Sequence, residues 1–189
     1  IGAVDKINAL PIYRSNEGPK QQENINDLVQ FRIAALNQTD PKFKDYIHFR
    51  AYIDDFSDKY SGKWKPINYM GRAESFYKYD SFDRDINLSF TVAAQSKEEL
   101  MVQYRKLNYL ASNLAPTYSP SGYMGGSLVE LTVGGWCYEL PGFIEGFSLG
   151  PAKESPWEIG IDTEGKVDQT VRELPHIVEV KGFKFTPIH

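Results

Sequence analysis

Ile86-Asn87-Leu88-Ser89-Phe90-Thr91-Val92-Ala93-Ala94-Gln95-Ser96-Lys97-Glu98-Glu99-Leu100, carried on through Tyr104, Leu107 and Ala111 to Leu114, changes its period at Ser96. Before that residue, Ile86, Leu88, Phe90 and Val92 alternate with polar neighbours, the pattern of a strand with one buried face. After it, Leu100, Tyr104, Leu107, Ala111 and Leu114 recur at helical spacing. Ser96 with Glu99 three residues on makes a capping box, so the spacing predicts one helix from Ser96 to Leu114. Its apolar face would be buried, with Glu98, Gln103, Arg105 and Lys106 turned to solvent.

Working outward, the strand period returns in Phe31, Ile33 and Ala35, and in Ile47, Phe49, Ala51 and Ile53. Beyond the helix it returns in Leu128 to Val133, Phe143 to Leu149, Trp157 to Ile161, and Ile177 to Phe185. Pro116 and the stretch Thr117 to Gly126 end the helix in a loop, Gly134-Gly135 and Pro141-Gly142 punctuate the second half, and Thr163 to Lys166 reads as a tight turn. One helix cannot alternate with so many strands to build a parallel doubly wound sheet. The expected fold is mainly β: two packed antiparallel sheets, a sandwich or barrel, flanked by one α-helix. Asn16 to Asn26 has almost no apolar content, so residues 1–27 are expected to be an arm or linker and residues 28–189 the domain. Asp55 to Asn68 reads as a polar loop between strands, carrying Tyr60 and Trp64.

The composition bounds what the domain does. The 189 residues are 41% hydrophobic and 24% charged with mean hydropathy -0.44, and no apolar run approaches the roughly 18 residues of a membrane-spanning helix. A soluble globular protein without membrane association is expected. A net charge of -4 gives no support to a broad basic face for nucleic acid. Cys137 is the single cysteine, which excludes an internal disulfide framework and a multi-cysteine zinc site. Ile1 to Leu10 carries Asp5 and Lys6 within its apolar stretch, unlike a signal peptide, and the absent initiator Met points to a trimmed or excised chain.

Catalytic chemistry finds little purchase. His48 lies between Ile47 and Phe49 and so should point away from the core, His176 opens a strand and His189 is terminal. Asp83, Asp85 and Asn87, with Asp80 nearby, begin like a calcium-binding loop, but Leu88 stands where the sharp-turn glycine belongs and Ala94 where the bidentate Glu belongs. Asp54 and Asp55 are strand neighbours facing opposite sides, and Gly125-Gly126-Ser127 lacks the flanks of a phosphate loop or nucleophile elbow. Cys137, between Trp136 and Tyr138, packs as a small hydrophobe with no basic neighbour to stabilise a thiolate. Asn37-Gln38-Thr39 and Asn87-Leu88-Ser89 fit a glycosylation triplet without a secretory context. The 12 Tyr, 11 Phe and 3 Trp suit core packing plus a contact surface. No cofactor, metal or enzymatic activity is expected.

A resemblance adds a direction. Asn87 to Ala94, Ser96 to Leu100 and Tyr104 to Leu110 resemble the strand-to-helix core of the baseplate tail-tube junction proteins of T4-like contractile-tailed phages. Pro116-Thr117-Tyr118, Gly122-Tyr123-Met124, Leu131 to Gly134, Leu140 to Ile144, Ser155 to Ile159 and Leu174 to Ile177 agree with it, so that Tyr69 to His189 is covered. The resemblance implies a tail-tube-type fold in a homo-hexameric ring, set between the baseplate hub and the tail tube, that initiates tube polymerisation in the virion. DNA would pass through its lumen without specific binding. It also implies that the insertion Asp55 to Asn68 reaches a neighbour with Tyr60 and Trp64 as anchors; Tyr118 and Tyr123 are the further expected interface residues. Two other classes compete: a carbohydrate-binding sandwich with a sugar platform between Tyr118 and Tyr123, and a hydrolase using Asp54 or Asp83.

Overall fold

The computed structural model describes residues 4–17, 29–37, 40 and 42–189. Ten strands and one helix follow in the order β1 Tyr13–Arg14, β2 Phe31–Leu36, β3 Lys44–His48, β4 Ala51–Ile67, β5 Phe76–Ala93, α1 Lys97–Ser112, β6 Thr117–Tyr118, β7 Met124–Gly125, β8 Val129–Val133, β9 Cys137–Pro151 and β10 Ile177–Pro187. The fold is mainly β, antiparallel throughout, with a single helix among the described residues. There are two sheets: one of eight strands in the order β1-β3-β2-β8-β9-β10-β5-β4, and a ribbon of β6 and β7.

The large sheet curls. Phe31 on β2 and Phe90 on β5 have three strands between them, which in a flat sheet sets them about 19 Å apart, yet their rings meet edge to face at 4.9 Å. Inward residues from across the sheet share one core: Ile33 and Ile47 of β2 and β3, Leu131 and Val133 of β8, Leu88 of β5, and Val180, Phe183 and Phe185 of β10. The curl stops short of closure: among the described residues β1 and β4 remain unpaired edges, so the sheet is open and not a barrel. Gly142 on β9 fits because its backbone runs against its β10 neighbour; a Cβ there would strike the carbonyl oxygen of Thr186. Pro141-Gly142 therefore lies inside a strand instead of punctuating one.

Helix α1 begins as its sequence dictates. Ser96 is extended, its Oγ accepts from the Glu99 amide at 3.3 Å, and Leu100, Gln103, Leu107 and Leu110 form the buried face. Two expectations for that helix change. Leu114 lies past its end and is largely exposed, while Gln103 and Lys106 are buried. For Lys106 the reason is the segment from Asp5 to Asn8, which docks against the helix and covers part of the side expected to be polar; Gln103 turns its amide to the Val92 carbonyl at 3.5 Å. The Lys106 Nζ donates to the carbonyls of Ile7, Asn8 and His48 at 2.8, 3.2 and 2.8 Å, and the Glu99 carboxylate accepts from the Asp5 amide at 2.9 Å and the Asn8 side chain at 3.3 Å. Arg50 pairs with Asp5 beside them. Most of the stretch from Asn16 to Asn26 lies outside the described residues.

Two other segments depart from expectation. Trp157 to Ile161 is not a strand and makes only isolated bridges, Trp157 to Pro175 and Ile161 to Val167, because no strand of the body lies alongside it. Asp55 to Asn68 is not a loop. It lies almost wholly within β4, paired with β5 from Ala51–Val92 out to Ile67–Phe76, and the turn falls between Ile67 and Phe76. Both faces of this outer hairpin are in solvent, and Gly62, Pro66 and its many Asp, Ser and Lys side chains read as a loop, although Tyr60 and Trp64 alternate with Lys59, Lys63 and Lys65 at strand period.

Candidate functional site

The outer hairpin has two unlike faces. Register puts Tyr60, Gly62, Trp64 and Pro66 of β4 on the same side as Phe82, Tyr79 and Tyr77 of β5, the bulge at Asp80 preserving the match. Trp64 and Tyr79 meet edge to face at 5.0 Å and Tyr60 lies 6.4 Å from Phe82. A Cβ at Gly62 would sit in ordinary contact with them, 3.7 Å from Tyr79 and 3.9 Å from the Trp64 indole nitrogen, so the rings do not depend on the glycine for space. The reverse side carries Lys59, Lys63, Lys65 and Lys78, with ion pairs Lys63–Asp83 at 2.5 Å and Lys65–Asp80 at 2.8 Å. Asp80 and Asp83 are thus strand residues held by lysines, which gives them a structural role and no calcium-loop geometry.

The aromatic side continues the core. Alternation along β5 places Val92, Phe90, Leu88 and Ile86 on one face, and Arg84, Phe82 and, past the bulge, Tyr79 and Tyr77 carry that face outward. Ile86 is 0% exposed, whereas Phe82 is 49%, Tyr79 48% and Trp64 59% exposed. The body simply ends before the strand does.

A polar latch marks the boundary. Arg84 holds Asp58 through two bonds, Nε at 3.0 Å and Nη2 at 2.7 Å; Tyr60 and the Trp136 indole donate to the same carboxylate at 2.9 and 3.2 Å. The Arg84 guanidinium also stacks on the Tyr60 ring at 4.9 Å. The hydrogen bond from Arg84 holds the Asp58 carboxyl below its ordinary pKa against the opposing cost of burial. Trp136 comes from the turn between β8 and β9, so this cluster ties the hairpin's base to the opposite wall of the curled sheet and aims its outer part away from the body.

Tyr118 and Tyr123 lie elsewhere. With Met124 they line a cleft of about 620 Å3 between the β6–β7 ribbon, the end of α1 and the β2–β3 edge. Tyr109 donates to Asp45 at 2.8 Å on its wall, and burial followed by that bond pushes the phenol pKa up. The Asn113 side-chain nitrogen, also on the wall, is buried without a hydrogen-bond partner among the described residues. The structure therefore brings Tyr60 and Trp64 together on one surface and Tyr118 and Tyr123 together on another, and does not join the two pairs.

His48 does point away from the core that holds Ile47 and Phe49, but it is buried there because Tyr13 of β1 covers the far side of β3 and shares a hydrogen bond with Nε2 at 2.8 Å. Burial, with Arg32 and Lys106 nearby, lowers its pKa to about 4. Asp54 accepts from Thr91 at 2.7 Å on the exposed side of the sheet. Burial pushes the Cys137 thiol up, away from a reactive thiolate. Among the described residues no group of three His, Cys, Asp or Glu side chains could hold a metal ion, and no helix is long and apolar enough to cross a membrane.

Sequence reading named Tyr60 and Trp64 but missed Phe82, Tyr79 and Tyr77 opposite them. The signal was present as the density of rings in Phe76-Tyr77-Lys78-Tyr79-Asp80-Ser81-Phe82. In comparisons with known proteins, no family model and no curated protein matches the chain.

Proposed function

We propose that this chain is a structural assembly subunit without enzymatic activity, of the kind that joins a phage baseplate hub to its tail tube and starts tube polymerisation from a hexameric ring. The observation that carries the assembly part is the core face of β5 running out of the body, still aromatic, onto a hairpin whose rings stay about half exposed, with the His189 ring against Phe82 at 5.8 Å. A contiguous exposed apolar surface of this kind marks a site where another chain docks. The free edge of β4 adds a long row of unpaired backbone groups beside it, a second invitation to association. The phage assignment, the hexamer, the virion location and a lumen that DNA traverses without specific contacts come from the resemblance of the stretch from Tyr69 to His189. The test is negative-stain electron microscopy of the chain mixed with tail-tube subunits of a contractile-tailed phage. Rings capped by growing tubes are expected, and dispersed particles with no seeding would sink the assignment.

A second reading is favoured by one observation. The cleft beside Tyr118 and Tyr123 combines exposed ring faces with the unpartnered Asn113 amide, a lining suited to a neutral sugar. Saturable binding in a sugar titration, lost in Tyr123→Ala, would support a carbohydrate-binding module in place of the assembly subunit.

A further inference from the structure

We infer that the aromatic face of the β4–β5 hairpin docks on the segment 152–175 of a second copy of this chain, in a head-to-tail contact. The inference rests on reading the hairpin as an assembly surface and adds what covers it.

The segment is a further exposed apolar stretch among the described residues, beside the Tyr118–Met124 ribbon. Trp157, Ile159, Ile161 and Val167 all face solvent, Ile159 at 80% exposure, on irregular backbone held by two isolated bridges. It is nonetheless anchored. The Tyr104 hydroxyl donates to the Pro175 carbonyl at 3.0 Å, the Ile177 amide of β10 donates to Ser155 Oγ at 2.9 Å, and Lys97 reaches Thr170 at 2.5 Å. An anchored surface with exposed apolar side chains presents a ready-made dock, since little ordering cost is left to be met on binding.

Charge distinguishes this dock from other partners for the hairpin. Residues 59–83 carry five basic side chains (Lys59, Lys63, Lys65, Arg72, Lys78) against three acidic ones (Glu74, Asp80, Asp83), a net of +2 in a chain whose total is -4. Residues 152–175 carry three basic side chains (Lys153, Lys166, Arg172) against six acidic ones (Glu154, Glu158, Asp162, Glu164, Asp168, Glu173), a net of -3. The hairpin lysines stand on the face opposite the rings, so they steer the approach while the rings make the buried contact.

Geometry forbids the contact within one chain. The segment sits at the Ala93 end of β5, where the Ala94 amide donates to the His176 carbonyl at 3.0 Å, and the hairpin turn lies past Phe76 at the other end. The 18 residues between are extended and span roughly 60 Å. Two complementary surfaces at opposite ends of one rigid strand pair only between copies, and a heterologous pairing of that kind propagates into a ring or a stack.

The test is complementation between two double variants, Trp64→Ser/Tyr79→Ser and Trp157→Ser/Ile159→Ser, each first shown to unfold at the wild-type temperature. Size-exclusion chromatography with light scattering should give concentration-dependent oligomers for the wild type and monomers for each variant alone. Their equimolar mixture should give a 1:1 heterodimer, because one intact hairpin meets one intact dock and nothing propagates. Raising salt from about 0.01 M to about 1 M should slow wild-type association about tenfold or more. Should a variant melt early, the charge reversals Lys63→Glu/Lys78→Glu and Glu158→Lys/Glu164→Lys, slow singly and restored when mixed, decide the same question. A mixture that stays monomeric overturns the contact. Wild-type oligomers that neither variant disturbs overturn the contact and leave the assembly reading standing; a wild type that stays monomeric at every attainable concentration overturns the second copy as occupant and, with it, ring formation by the chain alone.

Discussion

The two halves of β5 teach more than either alone. From Ile86 to Val92 the inward side chains are fully buried against β2 and β10; from Phe76 to Phe82 the same face of the same strand carries rings of similar size in solvent. β4 pairs with β5 in both halves, whereas β10 pairs only with the inner half, from Ile86 to Ala93. What separates them is the body itself: the inner half has β10 as a second neighbour and side chains of the curled sheet packed over its face, and the outer half has neither. Backbone pairing makes the strand, and burial of its face is settled by elements far away in sequence.

The comparison is broken most strongly from the buried side. Phe90→Ala removes a ring that touches Phe31, Phe49 and Phe183 and should cost about 3 to 5 kcal/mol by urea unfolding. A loss below about 1 kcal/mol would mean that the curl does not close over β5.

Acid attacks the same body. The folded pKa of His48, about 4, lies below its unfolded value of 6.5, so the unfolded chain binds more protons between them. Stability is complete above pH 6.5 and falls as the pH drops toward 4, by about 3 kcal/mol in total at about 1.4 kcal/mol per unit. Glu99 acts in the same direction lower down: burial opposes its ionisation, but the bonds from Asp5, Gln95, Asn8 and Ser96 win and lower its pKa, so its contribution is lost on protonation. His48→Phe should flatten the upper part of the profile, at a cost of about 1 kcal/mol for the Tyr13 hydroxyl left alone. An unchanged profile would show that His48 takes up its proton without strain.

At the boundary, Arg84→Met strands the Asp58 carboxylate, whose side chain is almost fully covered, and should cost about 2 kcal/mol. Hydrogen exchange should then speed up in the hairpin more than in β9 and β10. Equal acceleration everywhere would deny the latch its local role.

The smallest effect on stability should come from the outer half. Trp64→Ala and Tyr79→Ala should each shift unfolding by no more than about 0.5 kcal/mol, because their rings are largely exposed in the isolated chain. Both should abolish tube seeding. A large loss of stability would instead make the rings part of the chain's own packing.

Much of this was legible in the residues. The switch of period at Ser96 located both β5 and α1, the capping box placed the helix start, and the alternation in Phe31 to Ala35 and in Ile177 to Phe185 found strands that do line the core. Legibility failed wherever a distant segment decided the outcome. Lys106 looked solvent-facing because nothing near it in sequence announces that the carbonyls of Ile7 and Asn8 will receive its amine. His48 does face outward, but nothing near it in sequence announces that Tyr13 covers it from the far side of β3. The outer hairpin looked like a loop because Gly62, Pro66 and its polar residues mask the alternation of Tyr60 and Trp64 with the lysines. Of the four residues singled out for assembly, Tyr60 and Trp64 share a surface with rings from β5, while Tyr118 and Tyr123 border a separate cleft.

Hydroxyl-radical footprinting read by mass spectrometry, comparing dilute chain with the concentrated assembled state, tests the central claim most directly. The account predicts that Trp64, Tyr77 and Tyr79 become protected on assembly while Tyr118 and Tyr123 keep their reactivity. Assembled particles in which Trp64 and Tyr79 oxidise as fast as in the monomer would contradict it.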